Sequence, residues 1–356
     1  TTEGSPDAQM SIRVRGGGSI TQSNEPLFIV DGFPVESISD IPPTDIESID
    51  VLKDASSTAI YGARGANGVI IVTTKSGKEG KVSVSYNAYY AWKKVAKTLD
   101  VLSASDYTKW QYELAQLTNK NDDYIKYFGN YQDLDMYDNV ATNDWQDLTF
   151  GRTGHSFNHN LSINGGSDKF KYSFSYSHID DKAIMQMSDY ARDNLNLKLN
   201  HKPLKNVSLD FSARFSKTKI NGGGSNDANS SLNTDKRLKY SLLYTPYPVP
   251  GISDALNADE EDANSLLINP LISLRDNDTR KERINYNLAG SITWEIIKDL
   301  KLKAEVGYDD YRNNADRYYG VTTYYVRNNV DDEDKSKPAI SFTRGTRTAF
   351  RSTNTL

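Results

Sequence analysis

The sequence contains no cysteine, no long apolar run and no strong excess of charge of one sign. Without cysteine, a disulfide framework, a thiolate zinc site and a cysteine nucleophile are excluded. No window reaches the roughly 20 uninterrupted apolar residues of a membrane helix, so a helical span is excluded as well. The formal net charge of −5 is mild and spread along the chain, and it gives no indication of nucleic-acid binding.

Aromatic residues, in contrast, are abundant. They make up 11 % of the 356 residues and include 23 tyrosines, far more than a disordered, solvating chain would carry. The hydrophobic content of 37 % is low. A transmembrane β-barrel remains compatible with it, because strands that alternate apolar and polar residues keep the average hydropathy low although one face meets lipid.

Residues beyond Gly80 alternate between apolar and polar side chains over long stretches. The alternation is cleanest over residues 169–179, where four aromatic residues alternate with Lys171 and three serines. A period of two held this long predicts β-sheet with one polar face. The other period-two segments are 81–91, 155–164, 194–200, 207–216, 283–296 and 300–308, with 339–351 as a weaker eighth.

The connections between these predicted strands alternate in length. Outer-membrane barrels have tight turns at one end and large loops at the other, whereas a soluble β-sandwich has no reason to place every long loop at one end. The pattern therefore favours a barrel over a sandwich. The predicted short connections are 165–168, 201–206 and 297–299, and the predicted long ones are 92–154, 180–190, 217–282 and 312–338.

Residues 12–77 have a different pattern, that of a small α/β unit. The apolar run 27–30 is closed by Asp31-Gly32, which predicts a strand that ends in a turn. Asp54 is placed to cap a helix over residues 55–61, with Gly62 as its stop. Another strand is predicted over residues 69–73.

Three stretches of this unit carry a recognisable wording: PLFIVDG at 26–32, DIESIDVLKDA at 45–55 and AIYGARGANGVI at 59–70. Together they resemble the plug of TonB-dependent receptors, in the form found in the SusC/RagA branch of the Bacteroidetes. The resemblance is strong over about residues 11–77. It implies that residues 78–356 belong to the barrel that follows the plug. Its signature positions, for which we predict a structural role, are Asp31, Gly32, Asp54, Tyr61, Gly62, Arg64, Gly65, Asn67 and Gly68.

The resemblance implies a mainly β protein, an antiparallel transmembrane barrel of 22 strands around a small α/β plug. It also implies a location in the outer-membrane lipid, a SusD-like surface lipoprotein as lid, and energy from TonB–ExbB–ExbD through a TonB box. About eight strands are predicted here. A barrel of eight strands encloses a space just wide enough for side chains, so it cannot contain the plug. We therefore expect residues 1–77 to be the C-terminal part of the plug and 78–356 the first strands of the barrel, in a fragment that lacks the TonB box and does not transport alone.

The predicted function is import of an oligosaccharide or, as second choice, a peptide. A siderophore or cobalamin receptor, which works without a lid, is the alternative within the family. A small adhesin or hydrolase barrel is the alternative from another class, but no catalytic set of residues can be assembled, so we predict that the chain is not an enzyme.

Aromatic residues in the long loops are the candidate ligand contacts, since aromatic faces stack on sugars and grip peptides. Packing within the loops and an aromatic girdle at the membrane boundary are the alternative readings. A helix over residues 105–117 is expected to pack Trp110 rather than present it. The candidate contacts are Trp92, Trp145, Tyr244 and Tyr247.

Cofactors and resident metals are not predicted. His155 and His159 lie about 13 Å apart along a strand, too far to share one ion easily. The acidic run at 331–334 (DDED) has the oxygen ligands that calcium prefers, but a solvated loop explains it as well.

Overall fold

The computed structural model describes residues 12, 14, 25–35, 38, 41–54, 58–222, 237–250, 268–327, 334 and 337–356. These residues form a small four-stranded sheet followed by an eight-stranded one, with helices in the longer connections of the second sheet. Among them, no helix has both the length and the apolar character needed to cross a membrane.

The small sheet is the predicted α/β unit. Its strand order is β2-β1-β4-β3, in which β1 and β4 are parallel and the outer pairs are antiparallel. The two central strands are apolar on both faces, as expected for strands covered on both sides. Phe28, Val30, Ile70 and Val72 form its core. The strands are β1 (Leu27–Val30), β2 (Phe33–Val35), β3 (Ile46–Leu52) and β4 (Val69–Thr74).

The helix predicted over 55–61 is only partly described, because residues 55–57 lie outside the described residues. A 3₁₀ helix spans Ala59–Gly65, and Gly62 inside it has φ 59° and ψ −149°. The chain therefore changes direction at Gly62, as a helix stop requires. The predicted stop at Gly62 is confirmed, and a separate 3₁₀ turn follows it as far as Gly65. Another 3₁₀ turn, Pro43–Asp45, precedes β3.

The large sheet pairs its eight strands in the order of the sequence, each antiparallel to its neighbours, with β5 and β12 at its edges. The chain thus forms an open meander rather than a closed barrel. The strands are β5 (Gly80–Lys93), β6 (Gly154–Gly166), β7 (Phe170–Lys182), β8 (Asp189–Leu204), β9 (Val207–Asn221), β10 (Thr279–Ile297), β11 (Leu300–Tyr319) and β12 (Ala339–Thr355).

The two faces of this sheet differ as the alternation predicts. On β7, Ser173, Ser175 and Ser177 are buried on the face that meets the small sheet, whereas Phe170 and Tyr176 are exposed on the other. Large apolar side chains stay exposed on that outer face throughout, as a face that meets lipid requires. Further examples are Tyr86, Phe211, Leu288, Ile292, Trp294, Val306 and Phe350.

The strands are longer than the alternation predicts. The ladder between β7 and β8 continues to Lys182 opposite Asp189, so the predicted long connection 180–190 shrinks to residues 183–188. The backbone ladder needs no apolar side chains, and for that reason a reading based on apolar residues ends each strand too early. At one end of the sheet the connections are 94–153, 183–188, 222–278 and 320–338. At the opposite end they are 167–169, 205–206 and 298–299.

Among the described residues, helices lie in three of the four connections at the first of these ends, and side chains cap several of these helices. Ser103 Oγ accepts a bond from the Asp106 amide (3.1 Å) at the start of α1, and Asp144 accepts from two amides at the start of α3. Such caps satisfy amides that have no partner within the helix. The helices are α1 (Ala104–Thr118), α2 (Asn121–Phe128), α3 (Trp145–Phe150), α4 (Arg237–Leu243), α5 (Pro270–Asp276) and α6 (Tyr324–Arg327), with a 3₁₀ helix at Tyr131–Tyr137.

Candidate functional site

The turn between β1 and β2 presents a carboxylate towards the large sheet. Asp31 and Gly32 have φ of 50° and 89°, a left-handed conformation that glycine adopts without strain. The Asp31 carboxylate accepts bonds from the Thr74 amide (2.9 Å) and the Thr74 hydroxyl (2.8 Å). These two bonds tie the turn to the end of β4 and fix the orientation of the carboxylate.

Two cations from neighbouring wall strands meet this carboxylate. Lys198 Nζ on β8 lies 2.8 Å from Asp31 Oδ1 and donates to the Thr74 carbonyl (2.7 Å). Arg214 Nη1 on β9 lies 3.3 Å from Asp31 Oδ2, and its Nη2 donates to Asn287 Oδ1 on β10 (2.8 Å). The three charged side chains are at most 15 % exposed. We call Asp31, Thr74, Lys198 and Arg214 the Asp31 junction.

Neutral contacts seat the small sheet on the same wall at other points. Asn160 Nδ2 on β6 donates to Thr44 Oγ1 (2.7 Å), and Ser175 Oγ on β7 donates to Asp45 Oδ2 (2.7 Å). On β11, a Cβ added at Gly307 would lie 2.5 Å from Cε1 of Phe33, so only glycine leaves room for this ring. The small sheet therefore contacts the wall from β6 to β11, mostly through polar groups.

Asp45 is the other buried acid of this interface. Burial raises the pKa of its carboxyl above the ordinary value of 3.8, because the charged form is poorly solvated. Hydrogen bonds from Ser175 and Asn196 and the charge of Lys75 act in the opposite direction but do not cancel the effect of burial on the pKa.

A second cluster lies in the long connections. Tyr107, Tyr124 and Phe128 from α1 and α2 pack with Tyr247 and Val249 from the connection between β9 and β10. We call these five residues the loop cluster. The Tyr247 hydroxyl shares a hydrogen bond with Thr108, burial raises the pKa of that hydroxyl, and burial also raises the pKa of Tyr124 to about 12.

The four aromatic residues predicted as ligand contacts lie in two different places. Tyr247 is buried in the loop cluster, and Tyr244 is buried against Trp145, with ring centroids 5.2 Å apart. Trp145 Nε1 also donates to the Thr245 carbonyl (2.9 Å). Trp92, by contrast, is 72 % exposed on β5, edge-on to Tyr90 on the outer face. Ligand contact by any of the four stays a prediction.

Trp110 departs from expectation. The predicted helix forms, but Trp110 is 48 % exposed and Leu114 is also exposed. The buried stripe of α1 is made by Ala104, Tyr107, Thr108 and Ala115 instead. A small residue such as Ala115 lets the next helix approach closely, and this favours its side of α1 over the side of the bulkier Trp110.

The plug-signature residues are distributed along the small sheet and its loops, and Asp31 joins the wall. The Asp54 carbonyl accepts from the Thr58 amide (3.0 Å), and Gly65 is buried under Thr58. No carboxylate partner of Arg64 is found among the described residues. Arg64 lies instead within electrostatic reach of another cation, Arg351 on β12. Gly68 (φ 95°) is buried, Tyr61 and Asn67 are partly buried, and the role of each signature residue stays a prediction.

Sequence reasoning missed Lys198 and Arg214. Both occupy polar positions in the alternating segments 194–200 and 207–216, and those positions face the interior. An isolated cation on an enclosed face requires an acidic partner, because burying an unpaired charge is costly. This signal was available from the sequence, although it does not say which acid is the partner.

The described residues contain no group of three or more His, Asp or Glu side chains placed to hold a metal ion. Most of the acidic run proposed for calcium, Asp331, Asp332 and Glu333, lies outside the described residues. Asp334, which is described, pairs with Lys337 (3.0 Å).

Comparison with known proteins identifies the small sheet first. Residues 1–69 match the family described as TonB-dependent Receptor Plug Domain. The chain is 39 % identical over 202 residues to TonB-dependent receptor SusC of Bacteroides thetaiotaomicron, covering 54 % of this chain and 18 % of SusC. It is 30 % identical over 331 residues to TonB-dependent receptor P3 of Formosa agariphila, covering 90 % of this chain and 30 % of P3. The chain therefore spans less than a third of the length of these curated relatives.

The fold is similar to that in a solved structure of the RagAB peptide transporter, with a TM-score of 0.72 at 22 % identity. The match covers 99 % of this chain and 41 % of the other. The names of these relatives are those of receptors and a transporter. Over the part that it spans, the chain is thus identified as a SusC/RagA-type TonB-dependent receptor of the bacterial outer membrane.

Proposed function

We propose that the whole receptor imports a nutrient across the outer membrane, with this chain supplying part of the plug and eight strands of the wall around it. The single observation that carries the proposal is the seating of the plug signature on the polar face of the wall through the Asp31 junction. A separate small sheet held inside a wall by polar contacts is an obstacle that can be moved. In this proposal residues 1–77 are plug and residues 78–356 are barrel.

The proposed cycle has no covalent chemistry. A ligand binds between the long connections and a SusD-like surface lipoprotein, and TonB–ExbB–ExbD then pulls on the plug through a TonB box elsewhere in the receptor. An oligosaccharide is the first choice of ligand. Amide side chains on the inward face, among them Asn194, Asn196 and Asn287, support this choice because an amide both donates to and accepts from hydroxyl groups. A peptide is the second choice.

The test is uptake by the source bacterium of labelled oligosaccharides and labelled peptides. We expect uptake of one class to be lost when the receptor gene is deleted and when TonB is deleted, and to return when the receptor is restored on a plasmid. Unchanged uptake of both classes in the receptor deletion would overturn the proposal.

The lipoprotein partner is tested separately, by affinity purification of the tagged full-length receptor from outer membranes. Co-purification of a SusD-like lipoprotein is expected. Its absence, together with uptake of a siderophore or cobalamin, would favour the receptor type that works without a lid.

A further inference from the structure

Two cavities lie between the plug and the same strip of wall, which is formed by β8, β9 and β10. The upper cavity, of about 50 Å³, is nearer the long connections and is lined on the wall by Asn194, Asn196, Ser216, Asn285 and Asn287. The lower cavity, of about 200 Å³, is nearer the short turns and is lined on the wall by Asn200, Asp210, Ser212, Ala289 and Ser291.

The register of the strands shows that the two cavities are consecutive. Asn196, Arg214 and Asn287 are direct neighbours on the three strands and border the upper cavity. The adjacent row on the same inward-facing side of the sheet contains Lys198 and Ser212, and it borders the lower cavity. On these strands the two cavities therefore border adjacent rows of side chains, with no further row between them.

The Asp31 junction occupies this boundary. Arg214 comes from the upper row, Lys198 comes from the lower row, and the Asp31 carboxylate binds both. Thr74 closes the plug side, because its amide and hydroxyl hold Asp31 while its carbonyl accepts from Lys198.

Both cavities present polar groups on the wall, and the upper one is also bordered by Val35, Ile41 and Pro42 of the plug. In the upper one the side-chain oxygens of Asn196 and Asn285 are buried and have no hydrogen-bond partner among the described residues, so they are available to a polar guest. A cavity of this size has room for a few water molecules. The lower one contains Asp210, which accepts from Asn200 (2.6 Å) and Ser291 (3.2 Å), and the ion pair of Lys303 and Glu305.

We infer that a solute path through the receptor runs along the β8–β10 strip, and that the Asp31 junction is the barrier that closes it in the resting state. Separating Asp31 from Lys198 and Arg214 joins the two cavities into one continuous channel beside the plug. This inference rests on the proposed transport function for its meaning, but the barrier is a property of the resting protein and is measured without substrate or energy.

The experiment uses the full-length receptor in intact cells and single cysteines as reporters. This part of the receptor has no cysteine of its own, and any elsewhere is changed to serine. Ser216→Cys reports on the upper cavity and Ser212→Cys on the lower one. Each is combined with Asp31→Asn, which keeps the side-chain shape but removes the charge, and the labelling rate is measured with a small charged methanethiosulfonate added outside the cells.

We expect Asp31→Asn to raise the labelling rate of Ser212→Cys at least about tenfold and to change that of Ser216→Cys less than twofold. Asn160→Ala is the matched control, because it removes a plug–wall hydrogen bond away from the strip. With that control, labelling of Ser212→Cys should stay within twofold of the parent. Normal amounts of the variants in the outer membrane, and protease resistance of the plug equal to that of the parent, establish that they fold.

An unchanged Ser212→Cys rate in the folded Asp31→Asn protein would overturn the inference. So would an equal rise with Asn160→Ala, since that would mean general loosening of the plug. A tenfold rise in a receptor that imports neither oligosaccharide nor peptide would support the barrier and count against the proposed function alone, so the two failures are distinguishable.

Discussion

The plug–wall interface and the loop cluster hold parts of the same chain together by opposite means. The interface uses an ion cluster and single hydrogen bonds and leaves two cavities open, whereas the loop cluster uses buried aromatic rings. Water can replace the partners of polar groups when two surfaces separate, but it cannot compensate for the exposure of apolar rings. The difference indicates that the plug is held so that it can leave, and that the long connections are held so that they stay.

The largest effect is expected from a substitution in the loop cluster, the part that is held in place by apolar packing. Tyr247→Ala removes a ring that is 5 % exposed at the centre of the loop cluster. Truncating a buried aromatic residue costs about 3–5 kcal/mol in folding free energy. We expect the segment 94–153 of the full-length receptor to become readily cleaved by added protease, while the plug keeps its resistance.

The matched control for Tyr247→Ala is Leu117→Ala, a truncation within the segment 94–153 itself, at a position that is 83 % exposed. Its cleavage should resemble that of the parent protein. Equal protection of Tyr247→Ala and the parent would show that the loop cluster is not what orders these connections.

An intermediate effect is expected at the closest apolar contact of the interface. Gly307→Val places a side chain where the ring of Phe33 lies, and overpacking of this kind costs about 1–3 kcal/mol. The plug should be released at a lower urea concentration, measured as loss of its protease protection.

Gly290→Ala on the neighbouring strand is the control for this substitution, because an added Cβ there meets no atom closer than 3.8 Å. Its release midpoint should match that of the parent. If both glycine variants release the plug alike, the Phe33 contact does not hold it.

The smallest expected effect is the pH dependence of plug seating. Because burial raises the pKa of Asp45 above 3.8, the folded state holds this proton more tightly than the unfolded chain. The stabilisation that results is present below pH 3.8 and is lost as pH rises through the folded-state pKa. The quantity to compare is the urea midpoint of plug release of the parent receptor minus that of Asp45→Asn. This difference should be lower at about pH 7 than at about pH 4.

Asp50→Asn, at an exposed position of β3, is the control for the change of side chain. Its release midpoint at each pH shows what an acid-to-amide change does away from the buried interface. If the difference in urea midpoint between Asp45→Asn and the parent is the same at both pH values, Asp45 does not titrate between them.

The sequence predicted the two sheets well, because each has a local signature. Period-two alternation depends on which face of a strand is buried, and all eight segments that show it became strands. The ends of the strands were predicted less well, since Lys182 and Asp189 pair through their backbones without any apolar signal.

The candidate site could not be assembled from the sequence in the same way. Asp31 was singled out as part of a turn, but its partners Lys198 and Arg214 lie on strands that nothing local connects to that turn. Likewise, Tyr244 and Trp145 looked like free loop aromatics until the docking of two distant connections buried one against the other. Side-chain roles that depend on such long-range docking need the three-dimensional arrangement.

The separation of the junction residues along the chain also has a kinetic consequence. Asp31 lies 167 residues before Lys198 and 183 before Arg214, whereas strands such as β6 and β7 are joined by three residues. Closing a longer loop costs more entropy, and contacts between distant residues form more slowly than local ones. We therefore expect the hairpins of the wall to assemble first and the junction to form only after β9 is in place, so that a barrel in biogenesis remains unplugged until much of its wall exists.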